Sequence, residues 1–546
     1  MRNIRRMPAW LALVAALSLV AAACGGDEAE PEPTAAPTGG EFSIQICEPE
    51  SLIPQVNAET CGSQVLEGLF TPLITFDTND QLVFAAAESI TSEDNINWTV
   101  KLRSGWTFHD GTPVTAQSFV DAWNWAAFGP NAAGNNYFFG PAGVNVVGYD
   151  ELNPEKGKPD SEAMTGLTVV DDTTFTVQLG AAFSEFPITV GYNAFYPLPE
   201  SFFDDPEAFN EAPVGNGPYM MDGSWEHDVG ISTVRFEDYA GTPGNADAIE
   251  FRIYSDPDTA YRDVQAGNLD ITEVPPEQIE AAKVEFADRF IESASSSFSY
   301  IGFPLWDPAF QNPDLRKAFS LAIDRQEIID AIFFGTLIPA DDMVSPVVQG
   351  YREGACQWCV FDAAQAKELY DAAGGYDGTI TLWFNNDGGH EEWIEAVSNM
   401  WQQNLGIEDV KFESFEFADY LGRLDQGIDD DPSDGVTGPF RLGWVMDYPS
   451  MQNYLENLHG TGAGSNYTTY SNPAFDDLMA QGKAAGSLEE AISFYQQADD
   501  LVLEDMPIIP TWFGLGQSVT SERVSNVIVD KFTFVDVASV QVTDTA

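Results

Sequence analysis

An α/β or α+β fold divided into several lobes is what this sequence predicts, from its length, its apolar content and two hydrophobic periods that alternate along it. At 546 residues the chain exceeds a minimal domain, and single cores stop growing at roughly 250–300 residues. Apolar residues make up 44% of it, with 13 Trp, 18 Tyr and 37 Phe. That is enough buriable surface to offset the entropy of ordering, which excludes a disordered or collagen-like polymer.

The period of two marks the strands. Trp98, Val100 and Leu102 alternate with Thr99, Lys101 and Arg103, and Phe175, Val177 and Leu179 alternate with Thr176 and Gln178. Ile249, Phe251 and Ile253 repeat the pattern, and all three runs predict half-buried strands. Helices are marked by their start signals. Asn312-Pro313-Asp314 sets a capping side chain before a proline at the first helical position, where the missing N–H costs nothing, and Leu315, Phe319, Ala322 and Ile323 follow at helical spacing. Asn472-Pro473 repeats the device ahead of Phe475, Leu478 and Met479, and Thr115 can cap a helix carrying Phe119 and Trp123.

The charge is extreme, 23 Lys and Arg against 86 Asp and Glu, a net −63. Nucleic-acid binding needs cations to displace phosphate counterions, so DNA and RNA are excluded as partners. The acids are scattered between apolar positions, as in a solvated shell. Such a shell suits high salt, where the Debye length falls to roughly 3 Å at 1 M; an acidic secreted protein in ordinary salt is the alternative.

Residues 1–23 read as a secretory signal: Arg2, Arg5 and Arg6, an apolar run from Pro8 to Ala23, then small residues directly before Cys24. The run is marginal for a membrane span, which needs about 20 residues. Leu19-Val20-Ala21-Ala22-Ala23-Cys24 looks like a bacterial lipobox, which makes Cys24 the expected lipidated first residue of an anchored, extracytoplasmic protein. Removing three arginines and no acids takes the charge from −63 to −66. Residues 24–40 have no large apolar side chain and form a disordered tether. Of five cysteines, Cys47, Cys61, Cys356 and Cys359 remain, an even number that suits disulfides outside the cell. Pairing within each neighbourhood is the economical proposal, though four cysteines allow three connectivities. Cys356-Gln357-Trp358-Cys359 read as a thiol-redox motif is the lesser alternative, since Gly354 and a turn precede it where such motifs open a helix.

Catalytic signatures are sparse. His390-Glu391-Glu392 lacks the second histidine of a zinc-protease helix, and no G-x-S-x-G elbow or phosphate loop occurs. Gly460-Thr461-Gly462-Ala463-Gly464 has the glycines of a phosphate loop but no following lysine and reads as a loop. A secreted hydrolase therefore ranks below a binding protein, and no cofactor or metal is implied.

The run from Leu102 to Ala116, with Gly105-Trp106-Thr107-Phe108-His109-Asp110-Gly111 at its centre, resembles the solute-binding proteins of peptide-type ABC importers, in particular oligopeptide-binding proteins. Further blocks follow in that family's order: Gly215-Asn216-Gly217-Pro218-Tyr219, Ala266 to Ile271, Asn312 to Arg325, Ala366-Lys367-Glu368-Leu369, Gly443 to Pro449, Tyr470 to Asp476, and Met506 to Pro510. Together they span about 42 to 535. The resemblance implies a periplasmic-binding-protein-like α/β fold with two hinged jaws and an extra inserted lobe. Lobe I is expected at 41–78, 206–295 and 509–546, lobe II at 79–205 and lobe III at 296–508. It also implies a monomer that captures oligopeptides in the cleft and delivers them to a membrane permease.

By the same resemblance Asp447 matches the acid that pairs with a peptide's α-ammonium, and Arg441 and His390 fall where the family has positive groups near ligand carboxylates. Trp444 and Phe417 match pocket positions, and Tyr137, Phe138 and Phe139 are candidates for the opposing wall. The bland alternative for each is a surface or core role. Three features depart from the family: Val445 stands where some relatives have cysteine, Phe333 where some have a lysine serving longer ligands, and the cysteine pairs are not the commonest arrangement. Relatives in the superfamily also carry nickel chelates, haem, sugars or opines, so a same-fold receptor for another solute is the main alternative.

Overall fold

The computed structural model of the chain describes residues 39–77, 81–141, 143–154, 156–386, 389–428 and 435–543. The expected export signal and Cys24 lie outside the described residues. Among the described residues no helix is long and apolar enough to cross a membrane.

Eleven strands form one mixed sheet. In chain order they are β1 (Glu41–Ile46), β2 (Tyr219–Met221), β3 (Gly230–Arg235), β4 (Ala248–Ile253), β5 (Ile271–Glu273), β6 (Phe290–Gly302), β7 (Leu337–Pro339), β8 (Ile380–Asn385), β9 (Val410–Phe415), β10 (Phe440–Trp444) and β11 (Ile508–Thr520). Across the sheet the order is β9-β8-β10-β6-β11-β5-β1-β4-β3-β2, with β7 paired to β11 off that path. Two parallel groups stand at its two sides: β1 between β4 and β5, and β8 between β9 and β10. The long antiparallel pair β6 and β11 joins them.

The register along that pair is interrupted. Ala294 faces Leu515 while Phe298 faces Phe513, so β6 carries two extra residues around Ser295, Ser296 and Ser297. Such bulges bend a strand and release it from regular pairing. Here the bulge is held from outside: Ser345 Oγ donates to Ser295 O at 2.8 Å, Tyr454 Oη donates to Ser296 O, and Ser296 N donates to Lys531 O at 2.8 Å.

A large apolar core lies on each side of the joining strands. One gathers Phe42, Ile44, Ile249 and Phe251 of the sheet. It also holds Trp98, Val100, Phe175 and Val177 of a second, four-stranded sheet ordered Ala87–Thr91, Asn97–Leu102, Thr174–Gln178, Leu167–Asp171. The other gathers Ile380, Leu382, Phe440 and Leu442 with helices packed between 313 and 505. The alternation expected at Trp98, Val100 and Leu102 is present, each being buried between exposed neighbours. Asn312 and Asn472 cap their helices, accepting from Asp314 N and Ala474 N at 3.0 Å. Cys47 and Cys61 form one disulfide, and Cys356 and Cys359 a second.

Candidate functional site

In open α/β sheets ligands bind in the crevice beyond the carboxyl ends of parallel strands, where connecting loops diverge and leave backbone groups unpaired. Both parallel groups point those ends at the middle of the β6/β11 pair. β10 ends with Trp444 opposite Phe298, beside the bulge, and β5 ends with Glu273 opposite Ser518. The candidates cluster at these ends. His390 follows β8 by five residues, Phe417 follows β9 by two, and Trp444 closes β10 with Asp447 three residues on.

A cavity of about 620 Å³ opens at this place. Its walls come from the helix Thr60–Leu69 and the segment after it, from residues 188–196, from Asp447-Tyr448-Pro449 and from 528–538. Asn453 fixes the acid. Its side-chain oxygen accepts from Asp447 N and Trp444 Nε1, both at 3.0 Å, and its Nδ2 donates to Asp447 Oδ2 at 2.8 Å. Asn453 is itself fully buried on the helix Met451–His459, which Ser450 caps by accepting from Gln452 N at 2.9 Å. Burial pushes the Asp447 carboxyl up to about 6, the Asn453 bond pulling the other way. One carboxylate oxygen keeps its acceptor capacity, so the group can receive a cationic donor.

Tyr137 belongs to the same neighbourhood from the other side of the chain: burial and then the Asp447 charge push its hydroxyl up. Tyr192 and Tyr448 feel that charge too. Phe138 and Phe139 are corrected here. They are 1% and 0% exposed core residues against Trp123 and Phe195, because the short helix Asn136–Phe139 turns only Tyr137 outward.

The chain's similarities to known proteins agree with this geometry. The model of the bacterial extracellular solute-binding proteins, family 5 (middle), matches residues 81–466. The chain belongs to that family. Its members are binding proteins, so the chain is a solute receptor and not an enzyme, with an extracytoplasmic place of work. Among curated relatives, the oligopeptide-binding protein OppA of Bacillus subtilis is 25% identical over 95% of this chain and 96% of its own. The dipeptide-binding protein DppE of the same organism is 26% identical over 92% of each. The solved Escherichia coli murein tripeptide-binding protein MppA superposes with a TM-score of 0.74 at 23% identity, over 92% of this chain and 98% of that one.

Within the family fold the remaining candidates take separate places. Arg441 Nη1 donates to Asn385 Oδ1 at 3.0 Å, and Tyr420 Oη donates to Arg441 O at 2.6 Å, so the guanidinium sits over the end of β8. His390 Nδ1 accepts from Trp393 Nε1 at 3.2 Å, ahead of the helix Glu391–Leu405. Phe417 is 42% exposed at the start of the helix Phe417–Ile428. Asp447, Trp444 and Tyr137 thus converge, while Arg441, His390 and Phe417 stand along the ends of β8, β9 and β10.

Several wall residues escape a reading of the sequence. Glu67, Tyr192, Tyr196, Asp530 and Asp536 come from segments up to several hundred residues apart, and the acids are a few among 86. Asn453 carried a usable signal, since it is the third residue of the helix capped by Ser450 and stands six after Asp447. Among the described residues one group offers metal-type donors, Cys47, Glu59 and Cys61. Its sulfurs are tied in a disulfide and Glu59 caps the helix Thr60–Leu69, accepting from Gly62 N at 2.9 Å.

Proposed function

We propose that the protein is a lipid-anchored receptor that captures short peptides in this cavity and passes them to an ABC permease. The observation that carries the reading is the Asp447 carboxylate, raised by burial and held by Asn453 at the wall of a cavity of about 620 Å³. A half-buried carboxylate with a free acceptor direction is matched by the ammonium at a peptide's amino end. Main-chain groups of an extended peptide bind without regard to side chains, which suits a receptor of broad specificity. The curated relatives named for oligopeptides and dipeptides support the same class of solute.

In this reading lobe I is 41–78, 206–295 and 509–546, lobe II is 79–205 and lobe III is 296–508. Bending at the serine bulge of β6 closes lobe III over the ligand, and the permease reads the closed form. Cys24 carries the lipid, Arg441 and His390 receive the ligand's carboxylate, and Phe417 and Trp444 flank its backbone.

Calorimetric titration with a neutral tripeptide and its N-acetylated form tests the central pairing. Acetylation is expected to weaken binding by at least about 100-fold, the consequence of leaving a buried charge without its partner. Asp447→Asn is expected to weaken the free tripeptide to a similar degree and to erase the discrimination. Equal affinities of the two peptides for the unaltered protein would overturn the ammonium role of Asp447.

A further inference from the structure

The cavity beside Asp447 has an aromatic corner that a pairing with the ligand's ammonium leaves unused. A tight loop, 529–535, stands at its wall, with Val529 and Val535 bridged antiparallel at the base. Asp530 folds the loop onto itself. Its N–H donates to Phe534 O at 2.8 Å, and its Oδ1 accepts from Phe532 N at 2.8 Å and Phe534 N at 2.9 Å. Thr533 donates its N–H to Asp530 O at 3.1 Å and has a φ of +71°. A β-branched residue is an outlier in that left-handed region, and the conformation persists only where the surroundings impose it. Three neighbours do so. Gln64 of the helix Thr60–Leu69 exchanges two bonds with Val535, at 2.8 and 3.0 Å, and Ser296 N of β6 donates to Lys531 O at 2.8 Å. The Thr533 methyl packs on Gly516 of β11, where a Cβ would stand 3.0 Å from it.

What the braced loop presents is a pair of rings. Phe532 and Phe534 stack with centres 6.0 Å apart and planes 17° from parallel. Both line the cavity and both are only half-buried. Phe532 leans on the core that holds Ile380 and Phe440, whereas Phe534 packs into none of the apolar cores among the described residues. Phe76 enters the same wall from a distant segment, also half-buried, with the Lys531 ammonium 5.5 Å from its ring centre. Single apolar side chains scattered on a surface need no explanation. Rings held by a strained loop, fixed on three sides and turned into a cavity, do. Their uncovered faces forgo the free energy that burial would return, and a ligand ring laid against them recovers it.

We propose that Phe532 and Phe534, with Phe76, form a subsite for an aromatic side chain near the ligand's amino end. This rests on the peptide reading above and names the solute it favours: a short peptide with phenylalanine, tyrosine or tryptophan among its first three residues. A chamber of about 620 Å³ is roughly 11 Å across if round, the reach of about three extended residues from an amino end at Asp447. A ligand ring can lie offset on the stacked pair or meet it edge-on, a contact that an aliphatic group of the same bulk does not reproduce. The ammonium and main-chain groups carry the part of binding common to all peptides, so the subsite ranks peptides and does not exclude them.

Calorimetric titrations test this with Ala-Ala-Ala, the three tripeptides that carry one phenylalanine in its place, their cyclohexylalanine counterparts and 2-phenylethylamine. The best phenylalanine peptide is expected to bind at least about tenfold tighter than Ala-Ala-Ala, and a few-fold tighter than its cyclohexylalanine counterpart. In Phe534→Ala the first ratio should fall to about twofold or less, the loss falling on the phenylalanine peptide. The melting midpoint should hold, since that ring belongs to no core. Phe534→Leu keeps apolar bulk and should abolish the preference for phenylalanine over cyclohexylalanine. Val284→Ala, at an apolar position 83% exposed and outside the cavity, should alter none of these ratios.

Equal binding of Ala-Ala-Ala and every phenylalanine peptide to the unaltered protein, or a preference that survives both Phe534 variants, overturns the subsite while leaving the peptide receptor standing. Equal binding of the phenylalanine and cyclohexylalanine peptides overturns it too, the corner then being merely apolar. Binding of 2-phenylethylamine with no tripeptide, lost in Phe534→Ala, supports the subsite and overturns the peptide reading. Binding of none of the probes overturns both.

Discussion

Asn453 does the work of three polar contacts with one side chain. Replacing it by alanine strands the Trp444 indole N–H and the Asp447 main-chain N–H at the cavity wall, a loss of roughly 1–3 kcal/mol for each buried donor left unmatched. It also removes the bond that opposes burial at Asp447, so the carboxyl rises beyond its present value of about 6. The proposed pairing with an ammonium needs the ionised form. Peptide affinity should therefore be level above about pH 7 and fall by up to about tenfold per pH unit as pH drops below about 6. In Asn453→Ala the fall should begin at higher pH, with the affinity at pH 8 already reduced. Titrations between pH 5 and 8 read both effects. An affinity that is flat across that range in the unaltered protein would remove Asp447 from contact with the ligand's charge.

Where two elements meet, Glu185 shows how a single carboxyl can tie separate parts of the chain. It is 2% exposed and receives hydrogen bonds from Ser450, the cap of the helix Met451–His459, and from Tyr495 of the helix Leu488–Asp505, the latter at 2.7 Å. The neighbouring Ser184 N donates to Lys483 O at 2.7 Å, and Asn95 Nδ2 donates to Ala485 O at 2.7 Å, so the contact is an interface of several bonds. Burial pushes Glu185 up to about 7 from 4.5; the Glu456 charge adds to this, while Ser450, Tyr495 and Lys483 oppose it. A carboxyl raised in the folded state holds its proton there while the unfolded chain gives it up. The associated stability is whole below about pH 4.5 and is lost as pH rises through about 7, a change of roughly 3 kcal/mol at most. Ser450→Ala removes both a helix cap and one donor to Glu185. It should destabilise by about 1–2 kcal/mol, more at pH 8 than at pH 5, as read from melting midpoints at the two pH values. A deficit independent of pH would leave Ser450 as a cap alone. The elements themselves were legible in the sequence: strand alternation at Trp98 to Leu102 and the Asn-Pro starts at 312 and 472 are local signals set by backbone geometry. The sheet order was not, because it pairs Phe42 with Ile249 and Ile271 with Thr520, contacts that no local period records. The site divides the same way. Asp447 and Trp444 stood in one contiguous block, whereas Glu67, Tyr196 and Asp530 meet only after the chain has folded.

Over the whole molecule three of the few cations are spent inward. Arg316, Lys317 and Arg325 are buried at 3–4% exposure. Arg316 Nε donates to Met506 O at 2.9 Å and Nη1 to Phe310 O at 2.6 Å, while Arg325 Nε donates to Pro510 O at 2.7 Å and Nη1 to Cys359 O at 2.9 Å. These bonds clasp the segment from Asn312 to Arg325 onto the start of β11, which explains why two separate sequence blocks of the family lie together in space. Arg352 is drawn to the buried Asp499 at 2.5 Å. Four acids, Glu185, Asp270, Asp342 and Asp499, are buried as well, so nearly the whole net −63 stands on the outer shell. Self-repulsion of such a shell opposes compaction and is screened by salt: the Debye length shrinks from about 10 Å at 0.1 M to about 3 Å at 1 M. The melting midpoint should therefore climb steeply between low salt and about 1 M NaCl and then level off, because screening is nearly complete once the Debye length is shorter than the spacing of surface acids. Sulfate at equal ionic strength separates the causes. Screening predicts the same early rise for both salts, whereas exclusion of the anion from apolar surface predicts a continuing rise with sulfate alone. A midpoint that stays level from 0.05 to 1 M NaCl would show that the acids are too well hydrated and too far apart to repel. The excess of acids would then have no bearing on stability.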